Sequence, residues 1–164
     1  MKQTYWKEVL AILVLVAISA PVAWAEAGSR AADEAAIKKL VASFNECWNN
    51  KDVHTCAMLY TEDGDFTSVR GDADYGRPAV EKHYQKVFTT FLKNAHRTDT
   101  VRSVRFLSRK LACVDTDFEM TGAIAPNAAE ATKAVRKGLL TWIVTKQDGQ
   151  WRILVFHELD YPGK

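Results

Sequence analysis

Residues 135–159 read VRKGLLTWIVTKQDGQWRILVFHEL. Two runs inside this stretch, Val135 to Thr145 and Trp151 to Leu159, are rich in β-branched and aromatic residues, which favour strands. Between them Gln147-Asp148-Gly149-Gln150 is a tight-hairpin signal, because Asp-Gly tolerates the positive φ values that a two-residue turn requires. Val101 to Leu107 and Leu111 to Thr121 have the same strand character. The second half of the chain therefore predicts four long strands, with Ala123 to Ala134 as a loose connection around Pro126-Asn127.

Moving toward the N-terminus, the period changes from two to about 3.6. Val80, Tyr84, Val87, Phe88 and Phe91 form one apolar stripe, and Pro78 stands where a helix begins, a position that suits its fixed φ. Ile37, Leu40, Val41, Phe44 and Trp48 form a longer stripe. Asp33 is read as the N-cap of that helix, and Asn49-Asn50-Lys51 as its end. Asp52 is placed to cap a shorter second helix carrying Val53, Cys56, Ala57 and Leu59. Asp63-Gly64 reads as a turn, Asp65 to Val69 as a short strand, and Gly71 to Gly76 as a polar loop. Helices on one side and hairpin-linked strands on the other predict an α+β fold: three N-terminal helices on a curved, mainly antiparallel sheet, enclosing a cone-shaped cavity.

The first 25 residues have a different character. Lys2 and Lys7 precede an apolar run from Val9 to Ala20, followed by Pro21 and the small-x-small triplet Ala23-Trp24-Ala25. This pattern predicts a signal peptide cleaved after Ala25 and a periplasmic or secreted domain. An apolar run of about a dozen residues is short of the roughly 20 needed to cross a bilayer. Residues 26–32 then read as a flexible lead-in and 33–161 as one domain. The balance of 22 basic against 20 acidic residues, without basic clusters, argues against nucleic acid and anionic membrane surfaces as partners. Export permits a disulfide: Cys47 and Cys56 flank a helix–turn–helix and can meet, leaving Cys113. The alternative is that all three are small buried apolar groups.

Several pieces together resemble the SnoaL-like branch of the nuclear transport factor 2-like superfamily. They are Phe44-Asn45-Glu46-Cys47-Trp48, Asn50-Lys51-Asp52, Leu59 to Phe66, Gly76-Arg77-Pro78-Ala79-Val80, Leu111 to Gly122, and Asp148-Gly149-Gln150-Trp151-Arg152-Ile153 through His157. Proteins of this look are often labelled SgcJ/EcaC-type oxidoreductases, a label that implies no shared cofactor signature. The resemblance implies a cone, frequent homodimerisation through the sheet, and activities that range from isomerase, dehydratase, cyclase and hydrolase to plain binding. Fold alone does not choose among them.

No phosphate loop, His-Glu-x-x-His, Cys-x-x-Cys or Gly-x-Ser-x-Gly motif is present. The chemistry expected is cofactor-free and metal-free acid–base work on a small apolar molecule, or simple binding of it. Alternation along the last strand puts Trp151, Ile153, Val155 and His157 on one face, so His157 is expected to point into the cone as the first catalytic candidate. Asp65, at the mouth, and Asp117, if a bulge turned it inward, are the candidate carboxylates. Trp48, Tyr84, Phe88, Thr116, Phe118, Met120 and Trp142 are the expected ligand wall. Arg77 and His83 read as surface or loop-anchoring groups.

Overall fold

The computed structural model describes residues 28–124 and 135–161. The expected signal peptide lies outside these residues, as does the connection from 125 to 134. The chain divides into two compact units, Met1–Ala35 and Ala36–Lys164. In the first, residues 28–35 are helical. Asp33 thus lies inside helical residues rather than at a cap. Arg30, Ala31, Ala32 and Glu34 are good helix formers, and nothing among them stops a helix. All that follows concerns the second unit.

Residues 36–50 of this unit are helical and form α1. After it come α2 (Val53–Met58), β1 (Tyr60–Thr67), β2 (Ala73–Tyr75), α3 (Arg77–Thr89), β3 (His96–Phe106), β4 (Leu111–Thr121), β5 (Val135–Gln147) and β6 (Gln150–Asp160). The strands make one sheet in the order β2-β1-β6-β5-β4-β3. Every neighbouring pair is antiparallel except β1 and β6, which run parallel. The result is an α+β fold in which β1 and β2 lie between α2 and α3.

The local signals explain most elements. Lys51 adopts φ 58° and breaks α1 from α2. The Asp52 side chain accepts from the Thr55 backbone N–H at 3.0 Å, capping α2. Cys47 and Cys56 are joined across this corner with their Cα atoms 5.4 Å apart, and Cys113 is free and buried. Asp148 and Gly149 have φ 50° and 79°, the turn that closes β5 on β6.

β1 and β2 depart from expectation. Asp63-Gly64 lies within β1, where the five steps from Tyr60 to Asp65 match only two on β6, from Ile153 to Val155. The turn chemistry is absorbed in a bulge: a Cβ at Gly64 would sit 2.8 Å from the Ile153 carbonyl, so only glycine lets the two backbones approach. The polar stretch 71–76 contains β2, which pairs with Asp65, Phe66 and Thr67.

The core fills the space between the helices and the sheet. The α1 stripe is buried throughout, and Phe44 meets Trp142 at 5.0 Å and Phe156 at 5.3 Å. At the far edge β3 would expose unpaired backbone. Asn45 and Asn49 of α1 cover it. Asn45 accepts from the Asp99 N–H at 2.8 Å and donates to its carbonyl at 2.9 Å. Asn49 does the same at Arg97, at 2.8 and 2.7 Å. Four helical residues rise about 6 Å and two strand residues about 6.7 Å, so the two periods match and the asparagines act as a surrogate strand.

Gly138 in β5 marks the tightest approach. A Cβ there would lie 2.0 Å from the Leu159 carbonyl oxygen and 2.4 Å from the Phe118 ring. Gly138→Ala is therefore expected to lower unfolding free energy by about 1–3 kcal/mol, the usual cost of overpacking, read from urea denaturation. An unchanged midpoint would contradict this packing.

Candidate functional site

An inner cavity of about 30 Å³, room for about one or two waters, remains under α1 and α3. Phe44, Trp48, Phe66, Tyr84, Val87, Leu92 and Met120 supply its apolar wall, with Ser68, His83, Arg97, Arg136 and Glu158 as polar members. An outer groove of about 350 Å³ adjoins it, lined by Arg70, Asp72, Asp74, Lys82, His83, Lys86, Val87 and Phe91. Arg70, His83, Val87 and Phe91 border both, so the groove is a vestibule and the cavity its neck.

The floor of the neck is ionic. Arg97 and Asp99 alternate on the inner face of β3, and both are buried. Arg97 Nε donates to Asp99 at 2.9 and 3.1 Å, and Nη1 to Glu158 of β6 at 2.5 Å. Nη2 is buried without a partner among the described residues. Burial disfavours this guanidinium, but the two carboxylates outweigh it and hold the group more firmly protonated than usual. Burial pushes the Asp99 carboxyl up, against the pull of Arg97.

His83 guards the rim. Its Nδ1 lies 2.8 Å from an Asp74 carboxylate oxygen, and its ring is 4.6 Å from that of Phe66. A carboxylate partner makes Nδ1 the protonated nitrogen and leaves Nε2 as a free base, with no partner among the described residues. Burial holds the imidazole below its ordinary 6.5, although Asp74 works the other way. Beside it the Tyr84 and Tyr60 hydroxyls share a buried hydrogen bond of 2.9 Å. Burial raises both phenols, so they stay neutral donors.

The expected catalytic residues sit elsewhere. His157 is exposed on the outer face. β6 carries one extra residue, Leu154, between the partners of Ile143 and Val144. Beyond this bulge the alternation reverses, so Phe156 and Glu158 face inward and His157 pairs across to Thr67 and Thr141. No bulge turns Asp117 inward: it stays on the outer face, accepting from Arg102 at 2.6 and 3.0 Å and from the Tyr161 hydroxyl at 2.6 Å. Asp65 neighbours Val155 and Tyr75 in the sheet and does not line the cavity. Of the expected wall, Trp48, Tyr84 and Met120 line the neck. Phe88 packs behind Trp48 at 5.4 Å, and Phe118 lies 4.6 Å from the Arg97 guanidinium. Thr116 and Trp142 are core, satisfied by an indole-to-hydroxyl bond of 3.0 Å. Arg77 anchors the start of β1 through two bonds to the Tyr60 carbonyl, at 2.8 and 3.1 Å.

His83, Asp74, Glu158, Arg97 and Asp99 are the site residues that sequence reading missed or set aside. The i, i+4 pair Asn45 and Asn49 was the available hint that an edge strand reaches back to residue 97. Among the described residues no cluster suited to a metal ion occurs, and no helix is long and apolar enough to cross a membrane.

A family model described as a SnoaL-like domain matches residues 29–157. No curated protein sequence matches the chain. Among solved structures, a domain of unknown function with a cystatin-like fold from Nostoc punctiforme PCC 73102 is 25% identical, covers 80% of this chain and 79% of its own, and superposes with a TM-score of 0.69. An NTF-2-like protein of unknown function from Shewanella oneidensis MR-1 is 22% identical over 78% of this chain and 99% of its own, with a TM-score of 0.65. A ketosteroid isomerase-like protein from Erwinia carotovora atroseptica SCRI1043 is 18% identical over 79% of this chain and 96% of its own, with a TM-score of 0.62. The last two likenesses concern the fold alone.

His83 generates a testable titration. The folded state binds its proton more weakly than the unfolded chain, so its share of stability is complete above pH 6.5 and is lost as pH falls below that value. The C2–H resonance should titrate below 6.5, and Asp74→Asn should move it lower still. A value above 6.5 would overturn the assignment of burial as the dominant cause.

Proposed function

The chain belongs to the SnoaL-like domain family, and from that membership we propose that its cone takes up a small, mainly apolar molecule and moves a proton on it without a cofactor. The observation that carries this reading is the His83 Nε2, beside the neck and without a partner among the described residues, with Nδ1 held 2.8 Å from Asp74. A base needs a free lone pair and a fixed tautomer, and this geometry supports both, while burial lowers the imidazole and so favours its neutral form.

In the proposed step Nε2 takes a proton from carbon or oxygen of the bound molecule, and Asp74 steadies the imidazolium that forms. Negative charge developing on a substrate oxygen is met by neutral Tyr84 or by Arg97 Nη2 across the neck, in an environment from which bulk water is largely excluded. The same proton is then returned elsewhere on the molecule, giving isomerisation, or accompanies loss of water, giving dehydration. The expected export stays part of this reading and places the reaction in the periplasm or outside the cell.

Native mass spectrometry of protein from its host should show a retained small molecule. In D2O that molecule should exchange a C–H proton with the wild type and about 10²–10⁴-fold more slowly with His83→Ala, the usual span for a general base. Exchange that is indifferent to His83 would remove the catalytic part and leave binding.

Leu139, Ile143, Val155 and Leu159 favour a second reading, pairing of two copies through the sheet. They share the outer face, and Leu159 is 62% exposed. Leu159→Glu should convert a dimer to a monomer in light scattering. A wild-type monomer at micromolar concentration would rule the pairing out.

A further inference from the structure

The charges around the proposed site are unevenly arranged. In the vestibule both acids are engaged: Asp72 by Arg70 at 3.4 Å and Asp74 by His83 at 2.8 Å. Lys82 and Lys86 stand one helical turn apart on the same wall, with no ion-pair partner among the described residues. Two ammonium groups at i, i+4 repel each other unless something anionic lies between them. The floor is the reverse. Arg97 faces Asp99 and Glu158, and Arg136 faces only Asp160, at 2.9 Å. Both arginines of the floor therefore already have carboxylate partners.

An anion is thus better placed at the rim, where the two lysines have no ion-pair partner among the described residues, than in the neck, where Arg97 and Arg136 are already paired. Volume agrees: about 30 Å³ of free neck admits a slim end, while about 350 Å³ of vestibule admits a head with its hydration. The buried, unpartnered Arg97 Nη2 adds a demand for an acceptor at depth. Leaving a charged donor unsatisfied costs more than an ordinary lost hydrogen bond, and a neutral oxygen meets the demand without importing a further negative charge.

We propose that the ligand is a small amphipathic organic anion that enters slim end first, its carboxylate held by Lys82 and Lys86 and a neutral oxygen at its far end accepting from Arg97. This deepens the reading under Proposed function and rests on the cavity being the ligand site.

The test compares two six-carbon ketones, 5-oxohexanoate and hexan-2-one, which differ by the carboxylate. Binding is followed by calorimetry and by NMR shifts of the Trp48 indole and His83 ring. At low salt 5-oxohexanoate should bind at least 10-fold more tightly than hexan-2-one. That preference should shrink with added salt and vanish in Lys82→Gln/Lys86→Gln, whose substituted side chains are exposed. Equal affinities, or a preference that survives in the double variant, would overturn the proposal while shifts at Trp48 and His83 kept the cavity reading intact. Absence of any shift with either ketone would overturn both.

Discussion

One full positive charge lies inside an aromatic cone. The Arg97 guanidinium is within 6 Å of the ring centres of Phe44, Trp48, Phe118 and Phe156. Ring faces help a cation, but they cannot replace its water, and a buried charge persists only when it is paired and hydrogen-bonded. Removing one partner of such a group costs about 3–5 kcal/mol, a large part of the stability of a domain this size. Much of the architecture follows from that demand. Asp99 must share the inner face of β3 with Arg97, Glu158 must reach across from β6, and Asn45 and Asn49 must hold the β3 backbone in place.

Glu158 faces inward because of a single extra residue. With strict alternation from Trp151, position 157 would face the cone and 158 the solvent. Leu154 breaks the alternation, and the carboxylate replaces the imidazole at the neck. The bulge in β1 acts in a similar way on the other side of β6, with Gly64 allowing close approach. β6, flanked by both irregularities, thus decides which polar groups the cavity receives. That is the expected behaviour of bulges beside functional sites.

This distinction separates what could be read in the sequence from what could not. The helical stripe from Ile37 to Trp48, the Asp52 cap, the Asp148-Gly149 turn and the bounds of β4 are local in cause: spacing, capping and turn chemistry act within a few residues. The inner face of β4, with Thr116, Phe118 and Met120, was equally legible, because no bulge intervenes. The polar site was not. Asp74 lies in a three-residue strand whose pairing depends on β1, and β1 itself was masked by the turn signal Asp63-Gly64. His83 looked like a surface residue on an amphipathic helix until β2 supplied a carboxylate. Arg97 and Asp99 became inner-face residues only through contacts with α1, roughly fifty positions away. Long-range pairing set each of these positions, and periodicity carries no information about it.

A nearly filled cone constrains the chemistry as much as its residues do. The aromatic side chains leave a neck too narrow for a bulky molecule to lie alongside Tyr84 and Arg97 together. Reaction at the neck therefore requires either a slim substrate or a displaced side chain, and the exposed vestibule must hold whatever the neck excludes. Desolvation then divides the labour. Tyr60, Tyr84 and His83 are kept neutral by burial, so they can donate or accept a proton without first losing or gaining one. The charged groups are confined to the floor, where pairing stabilises them, and to the rim, where water does. In the proposed reaction a proton moved at the boundary between those zones would be transferred by neutral groups under the field of fixed charges, the arrangement in which a low-dielectric site gains most from preorganisation.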